Sequence, residues 1–129
     1  MPRQTLKKRP DGRYVCTYHG KFFYGYTQAE ALAARVAEAA AQLEAWNLYA
    51  MVYTYTNFAD TALAMDALTA YDLWLADYRG KCPTRPHGMW QYTSKGRVAG
   101  IDGPVDLSDA VKDYPAICKR TGLGTFQAG

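Results

Sequence analysis

Apolar and aromatic side chains cluster on both sides of a His19-Gly20 pair near the start of the chain. Residues 13–18 and 21–26 are rich in β-branched and aromatic residues. A tight glycine turn between two such segments predicts a β-hairpin. The residues before position 13 are mostly polar, and we expect them to be frayed.

The next pattern has helical spacing. Thr27 followed by Glu30 forms a capping box of the kind that begins many helices. The alanine-rich segment after it favours a helix that ends at about residue 46. The apolar positions of this helix predict one inward-facing side, made of Leu32, Val36, Ala40, Leu43 and Trp46.

The rest of the chain alternates strand-like segments with breaks. Strands are predicted at residues 49–55, 73–78 and 89–93, and Asn57 or Asp60 caps a short helix that runs to residue 67. Loops are predicted at residues 79–88 and 94–103. A helical region opens at Ser108, and a last helix starts near Pro115 and ends near Gly122. This order of elements predicts an α/β fold.

Composition narrows the class of protein. A chain of 129 residues with 49% apolar and 14% aromatic side chains is typical of one globular domain, or one and a fraction. A net charge of +3 permits an anionic partner without requiring one. Cys16, Cys82 and Cys118 are isolated in sequence, which argues against a zinc site and a disulfide framework. We therefore expect reduced thiols, no metal and no cofactor.

Three blocks carry a resemblance to a known family. They are MVYTYTNF, LWLADYRGK and HGMWQYTSKGRVAGIDGPVDLS, in this order, within residues 43–124. This region resembles the C-terminal half of glycoside hydrolase family 25 lysozymes, muramidases that hydrolyse the glycan of bacterial peptidoglycan. The resemblance implies a domain at residues 42–129 that is half of a lysozyme-type β/α barrel, preceded by a hairpin and a long helix. Half a barrel leaves open sheet edges, through which the chain could self-associate.

The same resemblance implies the candidate site. The late aspartate of the family matches Asp106, which the glycine-rich loop would deliver as a catalytic carboxylate. Aromatic rings beside such an acid suit a sugar-binding cleft. The substrate-binding candidates are Tyr53, Trp74, Asp77, Tyr78, Trp90 and Gln91. Two alternatives stay open, because Trp90 could be a packed core residue and Asp77 could be held in turn hydrogen bonds.

The chain departs from the family pattern at the acid pair. The family carries an Asp-x-Glu pair whose glutamate is the general acid, and this chain has no Asp-x-Glu. Its glutamates are Glu30, Glu38 and Glu44, all in the predicted long helix. Losing a general acid costs about 10²–10⁴-fold in rate. We therefore expect a truncated lysozyme with little activity alone, or a non-catalytic binder of wall glycan.

Neither a signal peptide nor a membrane span is predicted, because no apolar segment is long enough. A wall hydrolase of this kind suits a phage lysin. We expect it to stay in the cytoplasm until a holin releases it, and then to act bacteriolytically at the cell wall.

The N-terminal third carries a second resemblance. The segments KKRPDGRY, GKFFYG and TQAEA, within residues 6–41, are similar to the arm-type DNA-binding domain of phage integrases. That family places a small sheet on one helix and inserts it into a DNA groove. The resemblance makes residues 1–41 a separate segment and implies DNA contacts by Lys8, Arg9, Arg13 and Lys21. The family's usual third strand is not evident in the sequence, and these cations could equally form a solvated face.

Overall fold

The computed structural model describes residues 5–124, which form a mixed α/β structure with two sheets and three α-helices. The strands are β1 (Lys7–Lys8), β2 (Tyr14–Tyr18), β3 (Lys21–Gly25), β4 (Met51–Tyr55), β5 (Asp72–Ala76), β6 (Met89–Gly96) and β7 (Val105–Ala110). The helices are α1 (Gln28–Ala45), α2 (Thr56–Thr61) and α3 (Tyr114–Thr121), with a 3₁₀-helix at Met65–Leu68. The α/β class predicted from the sequence is confirmed at this level.

The first sheet has the strand order β1-β2-β3 and is antiparallel. Tyr18 pairs with Lys21, so His19 and Gly20 form a two-residue hairpin loop, and both have positive φ, 49° and 77°. This backbone geometry matches the twist of two antiparallel strands, and the predicted hairpin is confirmed. The expectation of a frayed start is wrong for β1, since the buried Leu6 leads into pairing with β2.

Helix α1 begins as the capping box predicts. Thr27 Oγ1 accepts a hydrogen bond from the Glu30 amide at 3.1 Å, and Glu30 Oε2 accepts one from the Tyr26 amide at 3.2 Å. The helix lies between the two sheets. Its Ala31 and Leu32 pack in one apolar cluster with Leu6 and Cys16.

A second apolar cluster lies on the other side of α1. Ala33 packs there with Val52 of β4 and with Leu73 and Leu75 of β5. Because the helix buries small residues toward both sheets, the single predicted inward face is wrong at its C-terminal end. Leu43 and Trp46 are 38% and 64% exposed.

The second sheet has the strand order β4-β5-β6-β7. The first two pairs are parallel, and β7 returns antiparallel to β6. Ser108 lies inside β7, so the helical region predicted to open there is wrong. Likewise Asn57 and Asp60 lie inside α2 and do not cap it, because that helix begins at Thr56 after Tyr55 without a side-chain cap.

Helix α3 closes the described chain near its predicted position. Asp113 Oδ1 accepts from the Ala116 amide at 3.1 Å, and Gly122 ends the helix with φ 75°. The Lys112 ammonium bonds Asp72 Oδ1 at 2.6 Å and ties the start of α3 to β5. The predicted division between residues 41 and 42 falls inside α1, the helix that both apolar clusters share.

Candidate functional site

The two faces of the second sheet differ in character. Val52 and Thr54 of β4 are buried in the interior. Tyr53 and Tyr55, which alternate with them along the strand, are 49% and 43% exposed. Side chains alternate along a strand, so the outer face of the sheet follows from the register. Tyr53 pairs with Trp74, Ala76 with Gln91, and Gln91 with Ser108. We call this side, with Tyr53, Tyr55, Trp74, Gln91, Asp106 and Ser108, the aromatic face.

Gln91 is the buried centre of the aromatic face, with 4% of its surface exposed. Its Oε1 accepts hydrogen bonds from the Tyr53 hydroxyl at 2.5 Å and from the Tyr78 hydroxyl at 2.7 Å. The Tyr53 ring meets Trp74 edge to face at 5.2 Å, and the Tyr55 ring meets Tyr78 in the same way at 6.2 Å. One amide oxygen therefore orients two tyrosines of the candidate site.

Asp106 lies on β7, two residues before Ser108, so it shares the aromatic face. The sequence predicted it in a loop, and that placement is wrong. Ser108 Oγ accepts from Trp74 Nε1 at 3.1 Å, which ties this part of β7 across the sheet. The pKa of Tyr78 is raised to about 12, mainly by desolvation of its hydroxyl, and the nearby Tyr53, Tyr55 and Asp106 contribute to that rise. The Asp106 carboxylate is thus close enough to Tyr78 to disfavour ionisation of its hydroxyl.

Asp77 is buried behind the end of β5, with 5% of its surface exposed. Arg79 binds it in a fork, Nε to Oδ1 at 2.9 Å and Nη2 to Oδ2 at 2.6 Å, and the Thr56 hydroxyl donates to Oδ2 at 2.9 Å. The hydrogen bond from Arg79 is the main cause that lowers the pKa of Asp77 to about 2. This carboxylate is a fixed anion whose oxygens are both engaged.

Trp90 differs from the other aromatic candidates. It pairs in register with the fully buried Leu75, on the face of β6 opposite to Gln91. Its Nε1 donates to the Asp77 carbonyl at 2.8 Å, and its ring meets Tyr92 at 5.7 Å. Trp90 therefore supports the end of β5 from behind the aromatic face.

Sequence reasoning did not assign three partners of the site: Thr56, Arg79 and Ser108. Arg79 carried a usable signal, because a cation two residues after an acid at a strand end can fold back onto it. Thr56 and Ser108 carried none, since their contacts depend on the packing of α2 and on the pairing of β7.

The nucleic-acid candidates gather on the first sheet, away from the aromatic face. The Arg9 and Arg13 guanidinium groups lie over the Tyr24 ring at 5.2 and 4.3 Å, and Lys8 lies over Tyr14 at 5.7 Å. Arg13 also pairs with Asp11 at 2.8 Å. Lys21 pairs instead with Glu38 of α1 at 3.0 Å, which holds its side chain to the helix.

Residues 5–124 contain neither a candidate metal site nor a candidate membrane span. No group of three or more His, Cys, Asp or Glu side chains there is arranged to hold a metal ion. No helix in this range combines the length and apolar character needed to cross a bilayer.

The family profile described as glycosyl hydrolases family 25 matches residues 24–101, more than half of the chain. The chain belongs to this family. The family 25 match begins in β3, so it takes in all of α1 and the strands β4 to β6. It ends before β7, and Asp106 lies beyond it. The resemblance read from the three sequence blocks is therefore confirmed, while the role of Asp106 stays a prediction.

A solved structure is similar in fold to this chain. It is the crystal structure of the CTP1L endolysin, whose activity is regulated by a secondary translation product. The two agree with a TM-score of 0.52 and 28% sequence identity, over 73% of this chain and 33% of the endolysin chain. This chain thus spans about a third of that protein. No curated protein matches the sequence.

Proposed function

We propose that this chain is the glycan-binding C-terminal half of a peptidoglycan-hydrolysing lysozyme, and that its aromatic face holds the sugar. The observation that carries the proposal is the row of part-exposed rings around the buried Gln91, with Asp106 on the same face. Sugar rings present C–H faces that stack on tyrosine and tryptophan, and hydroxyl and acetamido groups need nearby polar partners. Family membership and the likeness to an endolysin support peptidoglycan as the substrate.

Each candidate would then have a distinct task. Tyr53, Trp74 and Tyr78 supply stacking surface and hydroxyls, and Gln91 orients the two tyrosines. Asp106 supplies the carboxylate that stabilises positive charge or orients the acetamido group. Asp77 and Trp90 act from behind the sheet, where Asp77 holds Arg79 and Trp90 holds the end of β5.

We also propose that this sequence carries only part of the lysozyme barrel. Four strands in the order β4-β5-β6-β7 with an open aromatic face would form part of a β/α barrel whose remaining strands and Asp-x-Glu acid are absent from this sequence. We expect binding without appreciable hydrolysis. The division into residues 1–41 and 42–129 stays a prediction, and so does action at the cell wall after release from the cytoplasm by a phage lysis system.

A binding experiment tests the site directly. We expect soluble chitooligosaccharide, titrated calorimetrically, to bind the unaltered chain, and Trp74→Leu to weaken binding about tenfold, or about 1.4 kcal/mol. The matched control is Trp46→Leu, because Trp46 is exposed at the end of α1, away from the aromatic face. Equal binding by Trp74→Leu and the unaltered chain, with circular dichroism showing both folded, would refute the proposal.

Turbidity of a Gram-positive wall suspension tests the truncation. Little clearing is expected from the unaltered chain or from Asp106→Asn. Clearing by the unaltered chain that Asp106→Asn abolishes would show a working hydrolytic site, and would contradict the claim that the missing acid leaves the chain inactive.

A second candidate function is DNA binding by the first sheet. The observation that favours it is β1, which pairs Lys7 with Val15 and Lys8 with Tyr14 and gives three strands packed on one helix. That is the arrangement which the integrase resemblance implies. A duplex-DNA mobility shift should weaken with salt and with Arg9→Ala plus Arg13→Ala, while Lys95→Ala, on β6, serves as the control. Binding that ignores both arginines would count against this candidate.

A further inference from the structure

The loop between β5 and β6 carries a cysteine that the glycan site does not use. Cys82 is exposed, and its Sγ lies 3.9 Å from His87 Nε2. The thiol also lies 3.7 Å from the Pro83 carbonyl, which can accept a hydrogen bond but cannot hold a proton at neutral pH. Of these two neighbours, only His87 can take the thiol proton.

The histidine is oriented for that task by its other nitrogen. His87 Nδ1 lies 2.8 Å from the Arg85 carbonyl oxygen. A carbonyl only accepts, so Nδ1 carries the hydrogen in the neutral ring, and Nε2 presents its lone pair toward Cys82. This is the nucleophile, base and orienting group arrangement of an activated thiol.

The residues around Cys82 favour a negatively charged reactant. Cys82 lines a surface cavity of about 310 Å³ together with Arg79, Lys81, Pro83 and Thr84. Arg79 is paired with Asp77, and Arg85 with Asp60 at 2.6 Å. Within the described residues no ion pair offsets Lys81, so the mouth of the cavity carries net positive charge.

We propose that Cys82 is a thiol-modification site, with His87 as its base and an anionic low-molecular-mass disulfide as its reactant. The Cys82 proton passes to His87 Nε2, and the thiolate attacks one sulfur of the disulfide. A bond forms between that sulfur and Cys82 as the reagent's own S–S bond breaks. The other half leaves as a thiolate and takes the proton from His87, so no further oxidant is needed.

The other two cysteines provide internal controls. Cys16 is buried and its thiol donates to the Ala31 carbonyl at 3.3 Å, while Cys118 on α3 is only partly exposed. In a Cys118→Ser background, we expect dianionic dithiobis(nitrobenzoate) to react rapidly at one thiol, and mass spectrometry of peptides to place the adduct on Cys82. The added Cys82→Ser change should remove the rapid reaction.

Two further variants test the base and the charge. Lys81→Met should slow the anionic reagent about threefold or more while leaving neutral dithiodipyridine unchanged, and Lys95→Met should alter neither. His87→Gln should slow both reagents near pH 7 but neither at roughly pH 10, where a thiol ionises without help. An adduct on Cys16, or wild-type rates for both Lys81→Met and His87→Gln near pH 7, would overturn the proposal.

Discussion

The Asp77 carboxylate is buried at the end of β5, while the guanidinium that balances it is largely in water. The side chain of Asp77 is 3% exposed and that of Arg79 is 73% exposed. A buried anion is tolerated here because Arg79 and Thr56 together satisfy both oxygens, and Arg79 keeps most of its hydration. Removing the Asp77 charge therefore leaves the unpaired Arg79 cation in water and not in the protein interior.

The lowered pKa of Asp77 makes stability depend on acid. The pKa falls from 3.8 to about 2 on folding, so the ionised form stabilises the fold above pH 3.8. This contribution, about 2 kcal/mol, is lost as the pH falls toward 2. Urea unfolding between roughly pH 6 and pH 2 should show that loss. Asp77→Asn should flatten it, and Asp102→Asn, in the exposed glycine loop, should not; equal acid sensitivity in all three proteins would contradict the assignment.

The side-chain oxygen of Gln91 accepts hydrogen bonds from two tyrosine hydroxyls at once. Replacing it by Leu leaves the Tyr53 and Tyr78 hydroxyls without their acceptor, and we expect a loss of about 1–2 kcal/mol in the free energy of unfolding. Tyr53→Phe should cost less in the Gln91→Leu protein than in the unaltered one, because the shared bond is already gone. Tyr26→Phe, at a 72% exposed ring, is the control. Additive effects of the Gln91 and Tyr53 changes would show that the bond is not formed.

At the level of elements, the sequence predicted the elements that depend on contacts between residues close together in the chain. The hairpin depends on a two-residue turn, and the start of α1 depends on Thr27 and Glu30, which are close in sequence. Strand β1 escaped prediction because two lysines have no strand preference of their own and gain it only by pairing with β2. Ser108 looked like a helix cap for the same reason, since its strand exists only through pairing with β6.

The packing of α3 on the second sheet depends on a close approach at Gly88. A methyl group added there would collide with the Tyr114 hydroxyl, which is buried beside β5. We expect Gly88→Ala to cost about 1–3 kcal/mol through overpacking. In a Tyr114→Ala background, where the ring is gone, the same change should cost little. Thermal melts of the four proteins decide this, and an undiminished cost without Tyr114 would point to a backbone effect.

At the level of the whole molecule, the candidate site is one face of an open sheet. Strand β4 forms one edge of the second sheet and β7 the other. The sequence predicted the existence of β4, β5 and β6, because each of the three family blocks contains one strand-like segment, while the pairing of these strands was found in the structure. The sequence could not predict that α1 would pack against both sheets. That packing depends on contacts far apart in the chain, and it leaves the apolar residues at the C-terminal end of α1 exposed.

The open edge at β4 makes self-association a testable expectation. An unpaired strand edge beside exposed aromatic rings invites pairing with a second copy, whereas a lysine on such an edge opposes it. We expect sedimentation velocity to show a dimer that grows with concentration, and Tyr55→Lys to weaken it at least tenfold, or about 1.4 kcal/mol. Tyr26→Lys places the same charge on an exposed ring away from this sheet and should leave the dimer intact. A monomer at every concentration would contradict the expectation. The aromatic face would then be open to glycan in every copy, so the calorimetric titration would read a single class of site.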